Sequence, residues 1–142
     1  MPANKTERPE TYLVSACLVG LCTRYDAGAN TSSACMEQLK GALWIPVCPE
    51  QLCGLPTPRT AADMVGGDGL DVLAGRAGVV TRSGQDVTAQ FISGARQCLA
   101  IAQAQNIKTA FLKSKSPSCG LNPQIGVTAA LLQQHGIRII EF

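Results

Sequence analysis

Apolar and polar positions along this chain of 142 residues follow two different periods. Short apolar runs bounded by turn-forming residues predict β-strands at residues 11–16, 43–47, 108–112 and 137–142. Between them, apolar residues recur at helical spacing and predict helices at residues 35–39, 87–102 and 127–135. Ser32 or Ser33 would cap the first helix, Asp86 the second, and Gly136 would end the third.

Short strands that alternate with helices are typical of an α/β fold. The order β-α-β-loop-α-β-α-β predicts a three-layer sandwich, with a mostly parallel four-stranded sheet and helices on both faces, of the Rossmann-like or flavodoxin-like kind. Residues 1–10 are polar and are expected to form a flexible lead, so that residues 11–142 make a single domain. Residues 51–75 are rich in Pro and Gly without clear periodicity, and a connection that long usually folds over a site.

Composition narrows the classes of partner. Apolar residues make up 46% of the chain and charged residues 15%, with a formal net charge of +2. Phosphate contacts need a basic face, and so small a net charge disfavours nucleic acid as a partner. No apolar run approaches the roughly 20 residues that cross a bilayer, and the polar start MPANKTERPE lacks the apolar core of a signal peptide. A cytoplasmic protein without membrane contact is expected.

Seven cysteines are the main chemical feature of the sequence. An odd number without a sign of secretion favours metal binding or reactive thiols over a disulfide framework. Cys17, Cys48 and Cys119 each follow an apolar run, at the carboxyl end of a predicted strand. Those ends line the binding crevice of an open α/β sheet, so thiols from distant segments can converge there. Three thiolates leave one position of a four-coordinate iron or zinc centre open for substrate.

The other cysteines and the single histidine have less specific surroundings. Cys98 lies on the buried face of its predicted helix and Cys35 is also a helix residue, so both are expected in the core. Cys22 and Cys53 lie in loops, where either could be a fourth ligand or a spare thiol. His135 is expected to cap a helix C-terminus, which disfavours a Cys–His hydrolase. Thiolate ligands leave iron–sulfur clusters, zinc and Cu(I) as alternatives.

Polar residues near these cysteines are candidates for proton transfer and substrate binding. Glu50 follows Cys48 by two positions and is either an acid–base group or a solvated surface residue. The loop around Cys119 carries three serines and two lysines, Ser114, Ser116, Ser118, Lys113 and Lys115. The serines could donate hydrogen bonds to cluster sulfurs or substrate, or cap turns, and a lysine could balance an anionic cluster. Residues 24–26 and 57–59 are predicted to be polar loop segments.

Six sequence blocks resemble, in order, those of the thiouracil desulfurase family of bacterial proteins. They are LVSACLVG with RYD, IPVCPEQLCGLPTPR, VGGDG, DVT followed by F and GA, FLKSKSPSCG, and GVTAALL, and they span nearly the whole chain after residue 10. The resemblance implies a 4Fe–4S cluster with three protein ligands, Cys17, Cys48 and Cys119, and one open iron. It also implies removal of sulfur from thiolated uracil without net redox change.

The resemblance implies roles for polar residues as well. Glu50 and a serine of the loop, Ser116 or Ser118, would transfer protons and orient the substrate. Ser114 and Lys115 would be substrate contacts, beside Glu50. The Glu50 carboxylate would take a proton from water, or hand one to a ring nitrogen as the C–S bond breaks.

Two departures from the family pattern are visible. Relatives commonly carry a Gly-rich insertion between the SPSCG and GVTAALL blocks, where this chain has only residues 121–125. If that insertion encloses substrate, the pocket here is more open, or a partner subunit in a homodimer closes it. Thr23 holds the position before Arg-Tyr-Asp where relatives often have cysteine, and Cys22 precedes it. The resemblance therefore does not support Cys22 as a ligand.

These observations predict a cytoplasmic, 4Fe–4S-dependent desulfidase that converts 2-thiouracil, or a related thiolated pyrimidine, to uracil with release of hydrogen sulfide. A small thiolated nucleobase is the expected partner. One alternative is a structural or binding domain in which four thiolates hold zinc, with Cys22 or Cys53 as the fourth. The other is a desulfidase that acts on thiolated uridine in transfer RNA.

Overall fold

Six strands and five helices follow one another along residues 9–142, the part of the chain that the computed structural model describes. The strands are β1 (Thr11–Ser15), β2 (Leu43–Val47), β3 (Ala62–Val65), β4 (Gly78–Thr81), β5 (Thr109–Leu112) and β6 (Arg138–Glu141). The helices are α1 (Ser33–Leu39), α2 (Pro49–Leu52), α3 (Gly69–Leu73), α4 (Thr88–Ala104) and α5 (Val127–Gln134). The flexible lead expected at residues 1–10 lies outside this part, except for its last two positions. None of the described helices is long and apolar enough to cross a bilayer.

Four parallel strands form the central sheet in the order β2-β1-β5-β6. The inner strands β1 and β5 are largely buried, as parallel strands covered by helices on both faces are. The chain leaves β1 in one direction to form β2 and later returns to its other side to form β5. The carboxyl ends of these three strands therefore meet at a point where the strand order reverses. The predicted α/β class and parallel sheet are confirmed.

Helices cover both faces of this sheet. On one face, α4 and α5 pack against Leu13, Ala110 and Leu112. On the other face, α1 packs against Val14 and Phe111. Along β1 and β5, the residues that contact α4 and α5 alternate with those that contact α1. Successive side chains of a strand point to opposite faces of the sheet.

Residues 51–75 are not the structureless connection that the sequence predicts. They hold the end of α2 and all of β3 and α3, and β3 pairs antiparallel with β4. Asp68 and Asp71 form a capping box at the start of α3, in which each carboxylate accepts a hydrogen bond from the backbone N–H of the other. Val79 of β4 packs with Phe91 of α4 in a separate apolar cluster. β3, α3 and β4 have four or five residues each, too few for their apolar positions to show a period. Elements this short are stabilised by packing against the rest of the fold.

The helix ends predicted for α1 and α5 are confirmed, and the cap predicted for α4 is wrong. Ser32 caps α1, since its hydroxyl accepts a hydrogen bond from the backbone N–H three positions on. His135 is the C-cap of α5, as predicted. Asp86 is not the cap of α4, because Val87 occupies that position. The Asp86 carboxylate instead accepts a hydrogen bond from the Thr88 N–H at 2.9 Å, the turn that aspartate forms with the residue two positions on.

Candidate functional site

A cavity of about 290 Å³ opens at the carboxyl ends of β1, β2 and β5. Its lining comes mainly from the segments that directly follow these three strands. Cys17, Cys48 and Cys119 all line it, although they lie far apart in sequence. The cavity also lies at the reversal of strand order, where ligands of open α/β sheets bind. The structure thus brings together the three cysteines that follow the predicted strands.

Each of the three cysteines is positioned by local backbone structure. Cys17 lies in a short 3₁₀ turn, Ala16–Val19, rather than in the loop that the sequence predicts. Cys48 is the N-cap of α2, and the proline that follows it starts that helix. Cys119 lies in a turn where the Ser116 hydroxyl accepts hydrogen bonds from the N–H groups of residues 118 and 119, both at 3.1 Å.

Burial and charge repulsion raise the pKa values of the Cys17 and Cys119 thiols. Burial is the main cause of the raised pKa at Cys17 and at Cys119, because it disfavours the charged thiolate. Charge repulsion from Cys48 raises both pKa values further, and Cys17 acts in the same way on Cys119. The three thiols share the lining of one cavity, so a charge on one affects the others. A cationic metal centre among them would favour the thiolates.

Positive charge predominates around the cavity. Its lining includes four basic side chains, Arg24, Arg59, Lys113 and Lys115. Among the lining residues of the described chain, Glu50 is the one carboxylate. The Lys113 ammonium donates to the carbonyl and hydroxyl oxygens of Ser114 at 3.0 and 3.2 Å, and it lowers the pKa of Cys17 against the effect of burial. The surplus of positive charge favours thiolates and other anions inside the cavity.

Both carboxylate oxygens of Glu50 have partners. Oε1 accepts a hydrogen bond from Arg59 Nε at 3.0 Å, and Oε2 accepts one from Ser118 Oγ at 3.2 Å. The side chains of Glu50 and Arg59 are 15% and 6% exposed, so their ion pair is largely withdrawn from solvent. Glu50 is therefore not the solvated surface residue that one interpretation of the sequence allows. It is a fixed carboxylate in the cavity wall.

The serines and lysine predicted to act on substrate fall in different places. Ser114, Lys115 and Ser116 line the cavity. Ser118 is buried and reaches the site only through its hydrogen bond to Glu50. Lys115 has an exposed side chain and a backbone φ of 61°, in the left-handed region.

The other four cysteines of the described chain are not among the residues that line the cavity. Cys35 and Cys98 are fully buried in the apolar clusters on the two faces of the sheet, as predicted. Burial raises the pKa of Cys35 to about 11 and that of Cys98 to about 12. Cys22 is exposed, and the Cys53 thiol donates to the Glu50 carbonyl oxygen at 2.9 Å. Within the described chain, neither Cys22 nor Cys53 is among the residues that line the cavity.

Arg59 and Tyr25 are two of the cavity residues for which the sequence predicts no role in the site. The guanidinium of Arg59 is buried between Glu50, Thr23 and Cys48. Tyr25 is the aromatic residue of the lining and is 41% exposed. Sequence spacing carries no signal for Arg59, because one of its partners lies 36 positions away. The sequence feature that could have indicated both residues is their position in blocks, RYD and PTPR, that resemble the desulfurase family.

The cysteine thiols of the cavity are suited to a metal centre with sulfur ligands. Three thiols share one cavity with a positively charged lining, which suits the anionic ligands of an iron–sulfur centre. Across residues 9–142, no three His, Cys, Asp or Glu side chains are gathered closely enough to hold one metal ion. A cluster is larger than one ion, and its protein ligands are spaced more widely. Cys17, Cys48 and Cys119 are the residues here that could hold such a cluster.

Comparison with known proteins identifies a family, a relative and a solved structure. The family model described as 2-thiouracil desulfurase matches residues 12–141. YbbK of Bacillus subtilis (strain 168), described as uncharacterized, is 41% identical over 140 residues, which cover 90% of this chain and 93% of YbbK. A solved structure of the 4Fe–4S-dependent thiouracil desulfidase TudS is 38% identical with a TM-score of 0.76, and the match covers 93% of this chain and 90% of that one.

Proposed function

Because this chain belongs to the 2-thiouracil desulfurase family, we propose that it is a 4Fe–4S-dependent desulfidase for 2-thiouracil or a related thiolated pyrimidine base. The predicted family and enzyme class are confirmed. The cofactor and the site residues are proposed from the thiols of this cavity and from the solved desulfidase, which is described as 4Fe–4S-dependent. The reaction replaces sulfur with the oxygen of one water, so it needs no oxidant or reductant.

One observation carries the proposal, namely that Cys17, Cys48 and Cys119 line the same cavity as Glu50. The three thiolates would hold the cluster and leave one iron without a protein ligand. When bound, the cluster would supply a Lewis acid with affinity for the substrate sulfur. The basic side chains of the lining would balance the charge of the thiolates.

Glu50 is the proposed proton acceptor. Arg59 and Ser118 each occupy one lone pair of its two oxygens, which leaves other lone pairs for a water molecule. A carboxylate held in this way can remove a proton from water as the water attacks the ring carbon that carries sulfur. The carboxylic acid can then return this proton to the departing sulfur, which also takes the proton of the new hydroxyl group as the carbonyl forms, so that neutral uracil and hydrogen sulfide leave.

Four residues are proposed to orient the base. Ser114 and Lys115 line the cavity with groups that can donate to a pyrimidine carbonyl. The Ser116 oxygen accepts two backbone hydrogen bonds, which leaves its O–H to donate toward substrate. Tyr25 is the aromatic residue of the lining and is the proposed stacking partner of a planar base.

Anaerobic reconstitution with ferrous iron and sulfide tests the proposal. We expect broad visible absorption, about four irons and four sulfides per chain, and release of hydrogen sulfide from 2-thiouracil with an equal amount of uracil. A chain that takes up no iron under these conditions would contradict the cofactor. Bound zinc without visible absorption would support the structural alternative, and turnover restricted to thiolated RNA would contradict a free base as substrate.

A homodimer and a cytoplasmic location stay predictions, as does a single domain at residues 11–142. Sedimentation of the reconstituted protein with and without 2-thiouracil would test the homodimer.

A further inference from the structure

We infer that Arg59 is a positioning residue, which ties the Glu50 carboxylate to the sulfur of Cys48 and adjusts both the proton acceptor and the cluster. The inference rests on the proposed function, because it concerns the same cavity. It goes beyond that function by giving a task to a residue that is neither a sulfur ligand nor a proton acceptor.

Every N–H of the Arg59 guanidinium has a partner. Nε donates to Glu50 Oε1 at 3.0 Å. Nη2 donates to the Thr23 carbonyl oxygen at 3.0 Å and lies 3.8 Å from Cys48 Sγ. Nη1 donates to two oxygens of its own loop, at 3.0 and 3.3 Å. A guanidinium presents five donors in a rigid planar fork, and lysine cannot reproduce that arrangement.

The Arg59 backbone is also held in place. Its N–H donates to the Tyr25 carbonyl oxygen at 2.7 Å. Arg59 therefore joins the loop after β1, the start of α2 and the loop after α2. Withdrawing a cation from water is costly unless its partners are well placed. An ordinary surface pair shows the contrast, since Arg82 and Asp63 are 68% and 64% exposed and lie 3.6 Å apart.

The contact between Arg59 and Cys48 depends on the state of the sulfur. Without a metal, the Cys48 thiol donates to the Thr23 carbonyl oxygen at 3.6 Å. A cysteine bound to metal is a thiolate and has no S–H to donate. The Nη2 N–H of Arg59 is then the donor of this pair, and its positive charge strengthens the contact. Hydrogen bonds and positive charge at ligand sulfurs stabilise the reduced form of an iron–sulfur cluster, so they raise its reduction potential.

The contact between Arg59 and Glu50 fixes the direction of the carboxylate. Rotation of this side chain would break the bond from Arg59 to Oε1 and the bond from Ser118 to Oε2. Cys48 and Glu50 lie two positions apart at the start of α2, and one guanidinium contacts both. Arg59 thereby holds the proton acceptor at a constant position relative to a ligand sulfur.

Arg59→Lys and Arg59→Gln test the inference, with Arg82→Lys as the matched control on the surface. All are reconstituted anaerobically beside the parent protein. We expect Arg59→Lys to take up iron and to lose about 100-fold in kcat with little change in KM, since a small misplacement of a reacting group has effects of this size. Arg59→Gln, which removes the charge as well, should lower the reduction potential of the cluster in a titration followed by electron paramagnetic resonance. Arg82→Lys should match the parent in all of these measurements.

Parental kcat in Arg59→Lys would overturn the inference, and so would a parental reduction potential in Arg59→Gln. Failure of Arg59→Lys to take up iron would overturn it too, because the arginine would then build the site rather than position groups within it. The proposed function stands through all of these results. It fails only if the parent protein itself takes up no iron or releases no hydrogen sulfide.

Discussion

The segment that carries Cys119 and the segment that carries Glu50 line one cavity but are held in different ways. Residues 116–126 are held mainly by their own backbone, for example by the hydrogen bond at 2.7 Å from the Gly126 N–H to the Gly120 carbonyl oxygen. The packing leaves no room for a side chain, since a Cβ on Gly126 would lie 2.5 Å from the Ser118 backbone.

Residues 48–59 have the backbone hydrogen bonds of α2 and of the turn after it, and side chains then connect this segment to the rest of the cavity. Arg59 joins Glu50 to the neighbouring loop, and Ser118 holds the second carboxylate oxygen. One close backbone approach supports this segment, at Gly94 of α4, where a Cβ would lie 2.1 Å from the Pro49 carbonyl oxygen.

The difference separates the parts of the site that determine stability from the parts that determine chemistry. Backbone packing does not depend on charge or on a bound metal, so substitutions at residues 116–126, apart from the proposed site residues Ser116, Ser118 and Cys119, should first lower the free energy of unfolding. Polar side chains at residues 48–59 can change with less effect on the fold, so substitutions there should first lower turnover.

Replacement of a proposed sulfur ligand should have the largest effect, which is loss of the cluster. This effect should be the same whichever segment carries the cysteine. Cys17→Ser, Cys48→Ser and Cys119→Ser should each lose the cluster, since a hydroxyl replaces a thiolate poorly as an iron ligand. Cys35→Ala and Cys98→Ala should keep it, because both side chains lie in the core. Iron content after desalting is the measurement, and retained iron in any serine variant would remove that cysteine from the ligand set.

Glu50→Gln should have the next largest effect and should act on turnover alone. The amide keeps the shape of the side chain but cannot accept the proton, so we expect kcat to fall by about 100- to 10,000-fold with normal iron content. Glu37→Gln, in an exposed ion pair on α1, is the control and should retain full activity. Parental turnover in Glu50→Gln would assign the proton transfer to another group.

Gly126→Ala and Gly94→Ala should act on stability. Each added Cβ overlaps backbone, so we expect a loss of about 2–3 kcal/mol in the free energy of unfolding, measured by urea denaturation without metal. Gly136→Ala is the control, since its φ of 78° is unfavourable for alanine but no atom lies within 4 Å of the new Cβ. That variant should lose only about 1 kcal/mol. Equal losses in all three would mean that the packing around Cys119 and Pro49 adjusts to the added atoms.

Replacement of Glu141, which contacts residues 121 and 122, should change the free energy of unfolding least among these variants. Its carboxylate accepts hydrogen bonds from the N–H groups of Leu121 and Asn122 at 2.6 and 3.1 Å, within the short stretch 121–125. Burial raises the pKa of Glu141, but these donors outweigh it and bring the pKa below its usual 4.5. The ionised carboxylate therefore stabilises the fold at neutral pH, and this contribution disappears as the pH falls through the folded-state pKa.

Glu141→Gln should thus lower the free energy of unfolding at neutral pH by less than about 1 kcal/mol, as partly exposed ionic contacts usually do. The parent should lose this advantage as the pH falls below about 5, so that the two proteins converge. Urea denaturation across this range measures the effect. A constant gap between the two proteins would show that Glu141 does not contribute through its charge.

The central sheet and its cysteines are predictable because their signals are local. Each strand is an apolar run that ends at a turn; Cys17 and Cys48 follow two of these ends closely, and Cys119 lies in the loop after a third. Parallel pairing then brings those ends to one edge. Strands β3 and β4 and helix α3 are not predictable in this way, because their four or five residues show no period and depend on packing against α4. The environment of Arg59 is not predictable either, since it depends on partners from separate loops.

The strand order β2-β1-β5 also has a consequence for when the proposed cofactor could be inserted. A nascent chain that ends before residue 119 contains two of the proposed sulfur donors and lacks the segment that carries the third. Assembly of the proposed cofactor would therefore follow the synthesis of β5 and the turn after it. Once inserted, a cofactor that binds only the folded chain shifts the equilibrium away from unfolding, so iron-starved cells should degrade this protein faster than iron-replete ones.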